Sequence, residues 1–190
     1  MPTLLIIIAS TRPGRVGLPV GRWIEQRARS HGGFEVQLAD LAELRLPLMD
    51  EPNHPRMRRY THSHTKQWSA LVDGADAFAL VMPEYNHSFT APLKNAIDFL
   101  HEEWNHKPVG FVSYGGVAAG ARAAVAIEPV LCVLKMSPLP EAVQIPFVAQ
   151  FLEDDGELHA NEVMEQAAEA MLDALLRTSE ALRQLRRRDP

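Results

Sequence analysis

Thr3-Leu4-Leu5-Ile6-Ile7-Ile8-Ala9 runs straight into Ser10-Thr11-Arg12-Pro13-Gly14-Arg15-Val16-Gly17. After its first residue the opening run is continuously apolar and rich in Ile. That is the composition of a strand covered on both faces, not of one with a wet side. Leu18–Ser30 then reads as a helix, with Val20, Ile24 and Ala28 at four-residue spacing and Gly32-Gly33 to end it. A buried strand, a polar loop and a helix form the first unit.

The same alternation continues outward from it. Phe34–Leu38 is the next strand. Residues 41–60 carry three prolines and the cluster Arg56, Arg58 and Arg59, which predicts a long surface loop. A helix over Thr65–Gly74 leads into the apolar strand Ala77–Met82. Helix Pro92–Trp104, strand Pro108–Ser113, helix Ala118–Lys135 and the short strand Ala142–Ile145 follow. Glu162–Leu185 closes the chain as a long helix with Met164, Ala168, Met171, Leu175 and Leu182 at helical spacing. Strands alternating with helices predict an α/β fold, a parallel sheet with right-handed crossovers covering both faces. With no repeat, low-complexity tract or linker to split it, the chain is expected to form one domain spanning residues 1–190.

Composition narrows the function. The 190 residues hold 19 Lys+Arg against 24 Asp+Glu, a formal charge of −5, which argues against nucleic-acid binding driven by phosphate neutralisation. A 46% hydrophobic content excludes a disordered chain. No apolar run approaches the ~20 residues that cross a bilayer, and Leu4–Ala9 lacks the basic lead of a signal peptide. A cytoplasmic protein is expected. The single cysteine, Cys132, can form no internal disulfide and cannot build a cysteine zinc site; within Val130–Leu134 it reads as a core thiol. His62 and His64 stand two apart, a spacing that points to different sides of a helix, so no metal site is expected. Arg183, Arg186, Arg187 and Arg188 read as a solvated helix end, where cations suit the dipole.

Three loops carry the chemistry, because in an open parallel sheet ligands bind beyond the carboxyl ends of the strands. Ser10–Gly17 offers hydroxyls, two guanidinium groups and the amides of a helix start, a set matched to a phosphate. It lacks the G-x-G-x-x-G of a dinucleotide fingerprint and the Gly-Lys-Ser/Thr of a Walker loop; the plainer reading is a polar turn with a Ser/Thr cap. Pro83-Glu84-Tyr85-Asn86-His87-Ser88 suits a flat heteroaromatic ligand, or else is a strand-ending turn with Tyr85 packed on the surface. His87 reads as a general acid or as a solvated loop histidine. Ser113-Tyr114-Gly115-Gly116, with Gly120 beyond, lets backbone approach a ligand, or is an ordinary glycine turn. The topology brings all three loops to one sheet edge.

At these residues the sequence resembles the NADPH-dependent FMN reductase family, flavodoxin-like flavoproteins that include quinone reductases. The matching segments are Ser10–Arg15, Pro83-Glu84-Tyr85-Asn86 through Leu93-Lys94-Asn95-Ala96-Ile97-Asp98, and Lys107-Pro108 through Gly116, within residues 3–136. The resemblance implies a doubly wound five-stranded parallel sheet. It implies that Ser10, Arg12, Arg15, Val16 and Gly17 hold the FMN phosphate. Pro83, Glu84, Tyr85 and Asn86 would line the isoalloxazine, and Ser113, Tyr114, Gly115 and Gly116 would close its other margin. Ala9 and Ala119 depart from the common pattern, where glycines often stand. The resemblance also implies a homodimer or homotetramer, in which Trp104, Phe89 and the terminal helix are either interface or core.

The implied reaction is hydride transfer from NADPH or NADH to FMN, then electron transfer to a quinone, free flavin or similar small acceptor. The cofactor carries the chemistry, so no catalytic side chain is assigned. The competing reading is a flavodoxin-type electron carrier, whose phosphate loop would be richer in Ser/Thr and whose surface would be more acidic. Arg56, Arg58 and Arg59 read either as a solvated basic loop or as the cations that meet the 2′-phosphate of NADPH.

Overall fold

In the computed structural model, which describes residues 1–154 and 156–186, successive side chains of β1 (Thr3–Ile8) alternate between two cores. Leu4, Ile6 and Ile8 meet Val20, Trp23 and Ile24 of α1 (Gly17–His31) and Ala168, Met171 and Leu175 of α6 (Glu162–Arg186). Leu5 and Ile7 face the other way. Their core includes Trp68 of α3 (Ser63–Asp73), Leu93 and Ile97 of α4 (Ala91–Asp98), and Ile127 and Leu131 of α5 (Ala121–Val133). Both faces are dry, which is why the opening run shows no polar alternation. Each buried aliphatic side chain there contributes about 1.5–3 kcal/mol.

β1 pairs in parallel with β2 (Glu35–Asp40) on one side and β3 (Ala77–Pro83) on the other, and β3 pairs with β4 (Pro108–Tyr114). The order is β2-β1-β3-β4-β5, so the winding reverses between β1 and β3. This is the flavodoxin-like α/β arrangement, and the reversal opens a crevice at the carboxyl edge.

The fifth position differs from the single strand expected at Ala142–Ile145. It is filled by two pieces, β5 (Ser137–Pro138) against the start of β4 and β6 (Val143–Ile145) against its end. Pro138 and Pro140 have no N–H to donate, so a continuous ladder cannot run between them.

Other boundaries moved for local reasons. α4 stops at Asp98, and a single 3₁₀ turn at Glu102–Trp104 brings Trp104 back into the core, its indole donating to the Ile97 carbonyl at 3.2 Å. Trp104 is fully packed and Phe89 partly so. The 41–60 segment holds α2 (Leu41–Leu44) and a 3₁₀ turn at Pro55–Met57.

Two expectations were wrong. Cys132 is exposed, because Leu131 and Leu134 take the inward positions of that turn. Arg186 is not solvated: it pairs with Asp76 at 2.8 Å and donates to the carbonyls of His106 and Ser179, pinning α6 to the amino edge of the sheet. Arg187 and Arg188 lie outside the described residues. Among the described residues no helix is long and apolar enough to cross a membrane.

Candidate functional site

β1, β3 and β4 are neighbours, so the loops after them open side by side. The first begins at Ser10, a buried residue whose Oγ accepts the Tyr114 hydroxyl at 3.2 Å. A Cβ on Gly17 would collide with both of those oxygens, so only glycine lets α1 start this close. Val16 provides no side-chain cap, and the first turn of α1 carries no acid. The orphan amides and positive dipole end of a 15-residue helix therefore face the exposed segment Thr11–Gly14. The Arg12 side chain makes no hydrogen bond or ion pair among the described residues.

Arg15 does something other than expected. Its guanidinium pairs with Asp40, the buried carboxylate that ends β2 and caps α2 by accepting from Ala42 N at 2.9 Å. Its buried Nε has no hydrogen-bond partner among the described residues. Arg15 thus ties the loop down, while the Arg12 guanidinium stays exposed.

The second loop is a tight reversal. Tyr85 and Ser88 exchange both backbone hydrogen bonds, at 2.9 and 3.0 Å, around Asn86 and His87 with φ of 50° and 64°. Two central residues in the left-handed region are the mark of a type I′ turn. It leaves the Tyr85 ring 41% exposed at the edge. Pro83 is buried at the end of β3. The Glu84 side chain turns away from the crevice: it accepts from Arg122 N at 3.2 Å and pairs with the Arg122 guanidinium. Arg122 also donates to His87 Nε2 at 2.8 Å, which places the ring proton on Nδ1.

Sequence reasoning missed Arg122, and a signal existed. The residues before α5 include no Ser, Thr, Asp or Asn to cap it, so an acid from elsewhere had to serve. Thr90 was missed as well. Its hydroxyl donates to the Ala9 carbonyl at 2.8 Å and accepts from Leu93 N at 3.3 Å, stitching the end of β1 to the start of α4.

In the third loop, the side chains of Ser113 and Tyr114 lie beneath the crevice and do not form its margin. Ser113 Oγ donates to the Ala119 carbonyl at 2.8 Å. Tyr114 is 5% exposed, and burial raises its pKa, so the phenol stays neutral beside Ser10. Gly115 donates its N–H to Ile145 O at 3.2 Å, and around the exposed Gly116 nothing lies within 4 Å of where a Cβ would be. Ala119 (φ 52°) and Gly120 (φ 81°) are both left-handed. The alanine occupies a conformation that favours glycine, at a cost of about 1–2 kcal/mol.

Arg56 and Arg58 are remote from this edge. Arg58 pairs with Asp73 at 3.1 Å and Glu103 at 3.4 Å, just before β3 and β4 begin, and Arg56 donates to His101 beyond α4. Arg58 is half-buried and Arg56 is exposed to solvent, and their partners hold both away from the crevice. His62 and His64 do come together, against the spacing argument. His62 is the extended residue before α3, so their rings stack 5.2 Å apart, and His64 reaches Asp50 at 3.0 Å. His31, Glu169 and Asp173 group three ligand types. His31 Nδ1 accepts from Gly33 N, however, which puts the ring proton on the Nε2 facing Asp173.

An open 2-1-3-4-5 parallel sheet, with an anion-matched loop after β1 and two further loops beside it, defines a flavodoxin-like α/β architecture. The FerB flavoenzyme, an NAD(P)H:(acceptor) oxidoreductase from Paracoccus denitrificans, superposes with a TM-score of 0.75 at 19% identity, covering 95% of this chain and 98% of that one. An NAD(P)H-dependent FMN reductase of Schizosaccharomyces pombe is 38% identical over 149 residues, 76% of this chain and 74% of its own length. Another, from a Nectria species, is 35% identical over 155 residues, 78% and 77% of the two chains. The profile of the NADPH-dependent FMN reductase family matches residues 2–150. The chain belongs to that family of NAD(P)H-driven flavin oxidoreductases.

Proposed function

We propose that this protein is an NAD(P)H-dependent FMN reductase that holds FMN across the three loops and passes its electrons to a quinone, free flavin or similar small acceptor. The observation that carries the assignment is Arg12, unpaired among the described residues, beside the uncapped start of α1 and next to two open loops on adjacent strands. The residues fit the cofactor. Arg12 and the first amides of α1 would take the phosphate, with Ser10, Val16 and Gly17 shaping their approach and Arg15 fixing the loop. Pro83, Tyr85 and Asn86 would flank the ring. Gly115 and Gly116 would leave room for it at the far margin, carried on Ser113 and Tyr114, while Glu84 acts through α5.

Bound FMN supplies hydride acceptance and electron transfer. The protein's part is to bind, orient and leave one side accessible. The exposed Tyr85 ring offers a flat apolar wall, and the neutral Tyr114 phenol fixes Ser10 without placing a negative charge beside the phosphate. No side chain is required as an acid or base.

The chain is proposed to work as one domain in the cytoplasm and to self-associate. In favour of self-association, α5 is apolar on its outer side too, with Val125 and Val133 66% and 65% exposed. Light scattering on wild type and Val125→Glu tests this; a monomeric wild type overturns it.

For the activity, purified protein is expected to release FMN on denaturation and to oxidise NADPH rapidly with quinones or free flavin present. Stoichiometric FAD, or no flavin affinity at micromolar concentration, overturns the assignment. FMN that binds but is not reduced by NADPH or NADH identifies an electron carrier instead.

A further inference from the structure

We propose that the cleft between α2 and the start of α4 takes the adenosine 2′-phosphate half of NADPH, and that Arg45 selects NADPH over NADH. The inference rests on the reductase reading above. The cleft has a volume of about 350 Å³, and its walls are Leu41, Leu46, Leu48, Ala91 and Pro92. Ligand pockets run from roughly 300 to 1,000 Å³, so this one suits part of a dinucleotide and not the whole. Its apolar walls match the faces of a purine. Thr11 belongs both to the cleft and to the loop that would hold the FMN phosphate, so the two sites are contiguous at the carboxyl edge.

The cleft is built, not a gap in a mobile loop. Asn95 of α4 donates from Nδ2 to the Pro47 carbonyl at 2.7 Å and accepts from Met49 N at 3.0 Å, clamping the 47–49 segment against the helix. Arg45 stands at the C-terminal end of α2 with φ of 48°, its backbone N–H donating to Leu41 O at 3.3 Å. That fixes where the side chain leaves the main chain.

Charge then decides the ligand. The residues lining the cleft include no carboxylate, and the exposed Arg45 side chain makes no hydrogen bond or ion pair among the described residues. Other guanidinium groups at this edge are occupied: Arg15 by Asp40, and Arg122 by Glu84 and His87. Arg12 is assigned to FMN. Arg45 is the arginine that lines the cleft, so a 2′-phosphate on the adenosine held there meets its guanidinium, whereas the diphosphate is common to both nucleotides. NADPH differs from NADH only in that phosphate, so a charge-assisted fork to it registers wholly in the preference between the two.

Three measurements on FMN-loaded wild type, Arg45→Ala, Arg45→Lys and Arg59→Ala test the proposal. They are kcat/KM for NADPH and for NADH, calorimetric binding of 2′,5′-ADP and of 5′-AMP, and FMN affinity. Arg45→Ala is expected to lower the NADPH:NADH ratio of kcat/KM about tenfold or more, and to weaken 2′,5′-ADP by a similar factor with 5′-AMP changing much less. Arg45→Lys falls between, and Arg59→Ala, a charge control at an exposed arginine outside the cleft lining, tracks wild type. An unchanged ratio in Arg45→Ala, equal use of the two nucleotides by wild type, or equal binding of 2′,5′-ADP and 5′-AMP overturns the proposal. Failure of the reductase reading looks different: wild type then binds no FMN and oxidises neither nucleotide, while the 2′,5′-ADP comparison still decides whether the cleft and Arg45 read a 2′-phosphate.

Discussion

Arg12 and Arg15 lie three residues apart in one loop, and their surroundings divide the work between them. Arg12 is exposed and, among the described residues, unpaired, whereas Arg15 is closed onto the buried Asp40. Arg12→Ala is expected to weaken FMN binding about ten- to hundredfold, the loss of a charge-assisted phosphate contact, with little change in folding stability. Fluorescence titration of the apoprotein in moderate salt measures it; an affinity equal to wild type would show that the loop does not grip the phosphate. Arg15→Ala should behave the other way. Leaving Asp40 buried without its cation costs about 3 kcal/mol of stability in urea unfolding. Adding Asp40→Asn, which removes the charge and keeps the cap on α2, should recover much of that loss. If the double variant is no more stable than Arg15→Ala, the pair is not what holds the loop.

At the scale of elements, the crevice depends on side chains that join one secondary structure to the next. Glu84 at the end of β3 serves as the missing cap of α5, and Thr90 joins β1 to α4. Thr90→Val leaves both the Ala9 carbonyl and the Leu93 amide short of a partner in a buried place, and is expected to cost about 1–2 kcal/mol. Thr90→Ser keeps the hydroxyl and should retain most of the stability. A Thr90→Val variant as stable as wild type would show that these two hydroxyl bonds do not hold the elements together. The element pattern was legible from hydrophobic period alone, down to a turn or so at each end. What it missed follows from donors and caps: the prolines that divide the fifth strand, the left-handed Ala119-Gly120 that delays α5, and the return of Trp104 that cuts α4 short.

Across the whole molecule, the two ends of the sheet carry different chemistry. The carboxyl edge gathers the loops proposed for FMN and NADPH, and the amino edge is a network of ions around the buried Glu103 and Lys107. There Lys107 is 4% exposed, and its Nζ donates to the carbonyls of Val72 and Asp73 at 2.8 and 3.0 Å, capping α3. Burial lowers its pKa from 10.5 to about 8, against the opposing pull of Asp73. Folded protein therefore holds this proton less tightly than the unfolded chain, and stability rises with pH between those two values. Below about pH 8 the cost of the buried ammonium is fully present, and above about 10.5 it is gone. Measured against Lys107→Met, wild type should gain about 3 kcal/mol across that window. A pH-independent difference would mean that Lys107 stays charged in the fold.

The sequence by itself determined the strand–helix alternation, the burial of β1 on both faces and the meeting of three loops at one edge. These follow from hydrophobic period and from the rule that parallel strands are joined by crossovers, both of which are local signals. It also marked Ser10–Gly17 as an anion loop, since the residue types and the helix start are contiguous. Only the tertiary structure could assign individual side chains, because their partners are distant in the chain. Asp40 lies 25 residues from Arg15, Arg122 lies 38 from Glu84, and Tyr114 lies 104 from Ser10. For the same reason Arg56 and Arg58, a basic cluster in sequence, belong to the amino edge. Their partners Asp73, Glu103 and His101 close off that end of the sheet, and among the described residues Arg45, like Arg12, is left unpaired at the carboxyl edge.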